Sequence, residues 1–460
     1  MTPARLVARA AVLLLVAAGR AAAQEHPHPR DASGEKLGTV HFRTSCSPSV
    51  AARFDRAVTL LHSFEFGAST RAFTEVLAAD STCAMAHWGI ALGRWGNPMS
   101  IGNRSAAQLQ QGRAAVDAAT RLGARATERE REYIAAVSQL FADHERVDQR
   151  ARLVAYERAM ADLVARQPAD TEAKIFHALA LTASASPTDK TYANQLRAGE
   201  ILEAIWAKQP DHPGVAHYII HTYDYPALAS RASMAAQRYS RIAPSAAHAL
   251  HMPSHTFTRV GLWDESVQTN RRSIDEALRS ASMAEALHAS DYVVYAQLQM
   301  RRIADAKKVL DGLPALAARF DPNAITGAAS GSAGVFALAA IPARYALERR
   351  DWAQAAGLVP APSDFPWTEA MTYFARALGA SHGGDLALAQ VSIDSLSAIQ
   401  QRLRAKGEGY WAEQVAIQQL GAQAWLDHAA QRDDAALAAM RLAAEREAAT
   451  EKAAVTPGPL

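Results

Sequence analysis

Apolar residues in this chain recur three and four positions apart, the spacing that draws one stripe along a helix. The segments YERAMADLVARQPAD (156–170), AGEILEAIWAKQPDHP (198–213) and ASMAAQRYSRIAPSAA (232–247) each carry the pattern and stop at a proline. Proline lacks the amide that a helix interior needs, so Pro168, Pro210 and Pro244 mark predicted helix ends. ASTRAFTEVLAADSTC (68–83) has the same form, with Ser81 in the proline's place. Runs of β-branched residues are short, while the strong helix formers Ala, Leu, Arg, Gln and Glu dominate. The turn signals return at intervals of about thirty to forty residues, as in a helical repeat array. One helix pair cannot bury its stripe alone; stacked pairs can, and their first helices then line a concave groove.

These segments resemble the second helix of tetratricopeptide (TPR) repeats, with their small residues, an aromatic and a closing proline. On that pattern repeats fall at 50–83, 84–117, 137–170, 171–212, 213–246, 247–282, 287–320, 336–369, 370–403 and 417–450. More narrowly, LLHSFEFGASTRAFTEVLAADSTCAMAHWG, GVAHYIIHTYDYP and AAHALHMPSHTFTRVGLWDESV are similar to a family of exported bacterial TPR proteins. The resemblance implies an all-α, TPR-like helical-hairpin solenoid with a concave groove, and no particular activity. It also implies a chain that continues beyond PGPL. The expected organisation is a flexible segment at 24–45, an N-terminal array at 46–320 carrying the histidines, a C-terminal array at 321–450 and a tail at 451–460.

Composition adds a compartment. The first residues, MTPARLVARAAVLLLVAAGRAAAQ, place Arg5 and Arg9 before an apolar run and Ala21-Ala22-Ala23 after it. That is the pattern of a signal peptide cleaved after Ala23, too short to span a membrane. The expected location is periplasmic or secreted. Lys and Arg number 48 against 46 Asp and Glu, and losing Arg5, Arg9 and Arg20 leaves the mature chain at −1. Such a balance argues against a nucleic-acid partner, and no later stretch is apolar enough for a transmembrane segment. Export permits a disulfide between Cys46 and Cys83, which flank the first predicted hairpin; two free thiols are the alternative.

The chemistry lies in the histidines. With Pro213 and Ala247 as first positions of their repeats, His217 and His221 fall at positions 5 and 9, and His248, His251 and His255 at 2, 5 and 9. With Leu287 as first position, His288, Asp291 and Tyr295 take 2, 5 and 9. The TPR resemblance turns those positions into the groove, with His62 nearby. Spacings of three and four share one helix face, and neighbouring first helices lie about 10 Å apart, close enough for imidazoles to meet around an ion. His217, His221, His248, His251, His255, His288 and Asp291 are therefore candidate ligands of a transition metal: Zn, Cu, Fe or Ni. A polar groove for a peptide or anion, and simple packing, are the alternatives. Pro253 either kinks its helix or starts it near Met252. His87 and His177 read as core, His144, His382 and His428 as surface, and His26 as a minor Cu(II) or Ni(II) candidate near the mature terminus.

Catalytic signatures are lacking. HYIIH (217–221) has metalloprotease spacing but Tyr218 where the general-base Glu belongs, and TGAASGSAGVF (326–336) follows no strand and reads as a loop. Two functions stand. One is a binding module whose groove holds a protein, peptide or small ligand together with a metal ion. The other is a metal-dependent enzyme, hydrolytic or oxidative, with Asp291, Tyr223 or Asp224 as acid, base or supporting group.

Overall fold

A computed structural model describes residues 34–100, 103–450 and 456–457. The expected signal peptide and His26 lie outside the described residues. Among those residues the chain is all-α, with no strand. Successive helices pair into hairpins, from Ala51–His62 with Phe66–Ala79 to Gly409–Ala429 with Asp433–Ala448, in a TPR-like solenoid. Among the described residues no helix is long and apolar enough to cross a membrane.

One tight reversal recurs between helices. Phe64, Gly261, Ala281, Arg301, Arg350, Gly384, Gly407 and Gln431 all adopt φ between 54° and 82°. The next amide then reaches back five residues, as Glu65 does to the Leu60 carbonyl at 3.0 Å and Ser282 to Ala277 at 2.7 Å. This left-handed cap satisfies the last carbonyls of one helix and turns the chain directly into the next. Glycine takes the conformation freely, whereas each residue with a Cβ does so at a cost of about 1 kcal/mol. The spacing of the proline endings does not reveal these turns, so some boundaries move. The helix carrying His288 begins at Met283 rather than Leu287, and part of the presumed loop 326–336 belongs to helix Gly331–Glu348.

The first hairpin packs against its neighbour and also against the fifth. Helix Ala51–His62 lies along Pro213–Thr222, where a Cβ on Gly214 would stand 2.5 Å from His62 Nδ1. Only glycine permits that approach. Residues 34–45, expected to be a loose lead-in, are docked: Leu37, Val40 and Phe42 are buried, and the Thr39 amide donates to the Asp211 carbonyl at 3.1 Å. Cys46 and Cys83 are joined in a disulfide that ties the ends of the first hairpin, with Cα atoms 4.9 Å apart. A second segment, 320–330, crosses from the other side, and the Gly67 amide donates to the Thr326 carbonyl at 3.1 Å. Between these two crossings the inner side of helices 213–222, 247–259 and 283–299 is filled with protein.

Candidate metal centre

The six repeat-aligned histidines meet in that filled interior, and none is more than 5% exposed. They form two trios rather than one shared shell. Ring nitrogens of His217, His221 and His248 lie within 4.8 Å of one another, and so do those of His251, His255 and His288. Helical geometry explains the division. A four-residue step turns a side chain by only about 40°, so His217 and His221 stay together, as do His251 and His255. A three-residue step turns it about 60° the other way, so His248 and His251 face opposite neighbours. The break at Pro253 falls between the two halves of the middle helix, Ala247–His251 and Pro253–Arg259. Proline takes the first position of the second half, where its missing amide costs little.

Outer contacts orient two rings of the first trio. His217 Nδ1 donates to the His62 carbonyl at 2.7 Å, and His248 Nδ1 stands 3.0 Å from Glu285 Oε1. Each acceptor fixes the proton on Nδ1 and leaves a lone pair on Nε2. The Nε2 atoms of His217, His221 and His248 are all buried with no hydrogen-bond partner. Buried polar atoms are rarely left so, and three such nitrogens close together could hold a cation. Ligands 2.1 Å from a tetrahedral ion lie about 3.4 Å apart, so small side-chain rotations would close the trio around one.

The second trio has its own outer contacts. His251 Nδ1 lies 2.7 Å from Asn270 Oδ1, whose amide is oriented by Nδ2 donating to the Ser266 carbonyl. His255 Nδ1 lies 2.9 Å from Asp224 Oδ2. With both Nδ1 atoms turned to these acceptors, the two Nε2 atoms face each other at 3.0 Å, and the Tyr292 hydroxyl lies 3.4 Å from that of His255. A shared proton or a cation between the two nitrogens would make that contact favourable. Burial first, and then the neighbouring imidazoles, hold His251 well below its ordinary value, so protonation of that ring is disfavoured. The same causes hold His217 and His221 down. Neutral imidazole is the form that binds metal.

Aromatic rings close the cluster. Phe64 packs on His217, His221 and His248, with ring centroids 4.4, 5.6 and 5.8 Å away. Tyr292 packs on His251, His255 and His288, at 4.8, 5.0 and 5.3 Å. Beside Glu285, the carboxyl of Glu65 is pushed up to about 8 by burial and by Glu285 itself. Its Oε1 accepts from the His248 amide at 3.3 Å.

His62 belongs to a separate group with Glu172 and His212, whose ligand atoms also lie within 4.8 Å of one another. Here the protons account for every contact. His62 Nε2 and His212 Nε2 each lie 2.9 Å from one oxygen of Glu172. The Val215 amide donates to His212 Nδ1 at 3.3 Å, and the Tyr218 hydroxyl lies 2.9 Å from His62 Nδ1. With no nitrogen left over, this is a hydrogen-bonded clamp between the first, fourth and fifth hairpins.

The remaining candidates lie elsewhere. Asp291 is turned about 60° from His288 by its three-residue step and pairs with Arg344 Nε at 3.1 Å, outside both trios. Tyr295 lies between the Trp263 ring and the Arg344 guanidinium. Tyr223 donates to Glu203 Oε1 at 2.7 Å, away from the histidines, whereas Asp224 holds His255 directly. His177 is buried against Glu157, His87 is half-buried, and His382 and His428 are exposed. Sequence reasoning passed over Glu172, His212, Phe64, Glu285 and Tyr292. Only Glu172 carried a signal: it takes position 2 of its repeat, as His248 does of its own.

No family model matches the chain, and no curated protein does. Among solved structures it is similar to a human IFIT1 dimer with PPP-AAAA, at 11% identity and TM-score 0.38, covering 86% of this chain and 83% of that one. It is also similar to Naa15/Naa10 bound to HypK-THB, at 11% identity and TM-score 0.24, covering 84% of this chain and 62% of that one. Likenesses so remote carry no argument; the fold stands on the helix pairing described above.

Proposed function

We propose that this chain is an exported helical-repeat protein whose six buried histidines hold transition-metal ions. The single observation that carries the reading is the meeting of six buried imidazoles in two trios, each with its ligand atoms within 4.8 Å of one another, the Nε2 atoms of His217, His221 and His248 being buried without a hydrogen-bond partner. An all-imidazole donor set suits Zn, Cu, Fe or Ni and disfavours Mg or Ca. Burial of the six rings favours an ion over a peptide at this place, because a peptide needs an open slot. A protein or small-ligand partner would use other parts of the array. The disulfide fits an oxidising, periplasmic or secreted location.

The second reading, a metal-dependent enzyme, is favoured by one feature. A cleft of about 470 Å³ reaches His221 and Asp224. In that reading Asp224, rather than Asp291 or Tyr223, is the carboxylate placed to tune a ligand, through His255 Nδ1.

Elemental analysis of untagged protein tests the proposal, beside the double variants His217→Ala/His248→Ala and His251→Ala/His288→Ala. The expected result is stoichiometric metal that falls in each variant. Wild-type protein that arrives without metal, and that neither binds nor is stabilised by added Zn²⁺ or Cu²⁺, would refute it.

A further inference from the structure

The two trios are neighbours as well as twins. His221 and His255 ring centroids lie 6.0 Å apart, and those of His248 and His251 lie 5.8 Å apart. Two separate ring pairs thus bridge the groups, and Phe64 and Tyr292 cap the six rings, one ring over each trio. Ions held in both trios would share one hollow.

Charge is the second consideration. Two divalent ions bring four positive charges into this interior, and the two ligand groups contain imidazoles alone. The carboxylates at hand act through outer nitrogens: Asp224 on His255 and Glu285 on His248. Arg259 Nε, 3.0 Å from the other Asp224 oxygen, offsets part of that charge. Three imidazoles also leave a coordination position on each ion, as in catalytic rather than structural zinc sites. A buried, under-compensated pair of cations with open positions recruits an anion.

A route for that anion exists. The 470 Å³ cleft is lined by Arg150, Thr182 and Ala183 together with Tyr410 and Trp411 of the last hairpin. His221 and Asp224, the carboxylate that holds His255, are also among its lining residues. Among the histidines of the trios, His221 alone lines it.

We infer that the two trios form one dinuclear centre that binds a small anion, of the size of hydroxide or azide, admitted past His221 and Asp224. This rests on the metal-binding reading above and adds to it the pairing of the ions, the ligand class and the path.

The test uses Cu(II) as the probe metal and azide as the probe anion. Copper is titrated into metal-free protein, bound copper is compared with the paramagnetic resonance spin count, and the azide-to-copper absorption band is then titrated. Two ions per chain, a spin count well below the copper content and one azide per ion pair are expected. His217→Ala/His248→Ala should leave one copper with its full spin. Ala183→Trp, a bulky replacement at a lining residue that is not a ligand, should keep copper content and slow azide binding roughly tenfold. Two coppers with full spin, each taking its own azide, would overturn the dinuclear inference and leave the metal-binding reading intact. Unchanged azide kinetics in Ala183→Trp would overturn the path. A chain that takes up no copper fails at the earlier reading instead.

Discussion

The ring of Phe64 lies stacked on that of His248, planes 16° apart, while its own backbone holds the left-handed φ of 56°. A bulky residue in that conformation is strained, and strain of this kind persists where the surroundings over-determine it. Here the turn that ends the first helix must also deliver an apolar lid to the histidines. Replacing Phe64 should cost about 3–5 kcal/mol as a buried aromatic lost. Phe64→Gly should be less damaging than Phe64→Ala by about 1 kcal/mol, because glycine relieves the backbone. Chemical denaturation of the two variants measures the difference; equal stabilities would show that the backbone there carries no strain.

Asp291 separates a ligand from a structural partner. It sits fully buried against Arg344, so Asp291→Asn weakens a charge pair that lacks solvent to replace it. Breaking such a pair destabilises by about 3–5 kcal/mol. Bound metal per folded chain should stay at the wild-type value. A loss of metal without a loss of stability would return Asp291 to the ligand set.

Acid should loosen the clamp of His62, Glu172 and His212. Burial, above all, lowers the affinity of His62 for protons, so below its ordinary value of 6.5 the unfolded chain takes up a proton that the folded chain refuses. Burial alone would raise Glu172, but His212 and His62 hold it well below the usual carboxylate range. Both groups then make the unfolded state the more protonated one, and stability falls as pH falls. The slope is about 1.4 kcal/mol per pH unit for each such proton, starting near 6.5 for His62 and near 4.5 for Glu172. Denaturation midpoints measured from pH 7.5 to 4 should trace this decline, and Glu172→Gln should be less stable than wild type at pH 7.5 with a shallower acid slope. An unchanged midpoint across that range would contradict it.

The disulfide closes a loop of 37 residues around the first hairpin. Cys46→Ser/Cys83→Ser should lose about 4 kcal/mol by the chain-entropy account. Because this hairpin supplies Phe64, Glu65 and the His62 carbonyl, added metal should recover part of the loss in a thermal melt.

The hairpin pattern and the histidines were legible in the sequence because both repeat. Periodic apolar stripes and prolines at fixed offsets report local geometry, and the register of one repeat predicts that of the next. What could not be read was the contact between distant repeats. Nothing local tells that Gly214 admits His62, or that Thr326 reaches Gly67. The histidines therefore looked like the lining of an open groove, whereas the first hairpin and the segment 320–330 cover them. Asp291 was misplaced for a smaller reason: a helix start set four residues late, and a three-residue step taken as equivalent to four.

A chain of repeats that touch only their neighbours can fray one unit at a time. Helix Ala51–His62 denies this one that freedom, because it leans on Pro213–Thr222 from four hairpins away. Removing the opening unit would strip a wall from the fifth, and the sixth would lose its lid. The stretch between them should accordingly melt as a single block, and shortened versions that begin after residue 83 should fail to fold around the histidines at all.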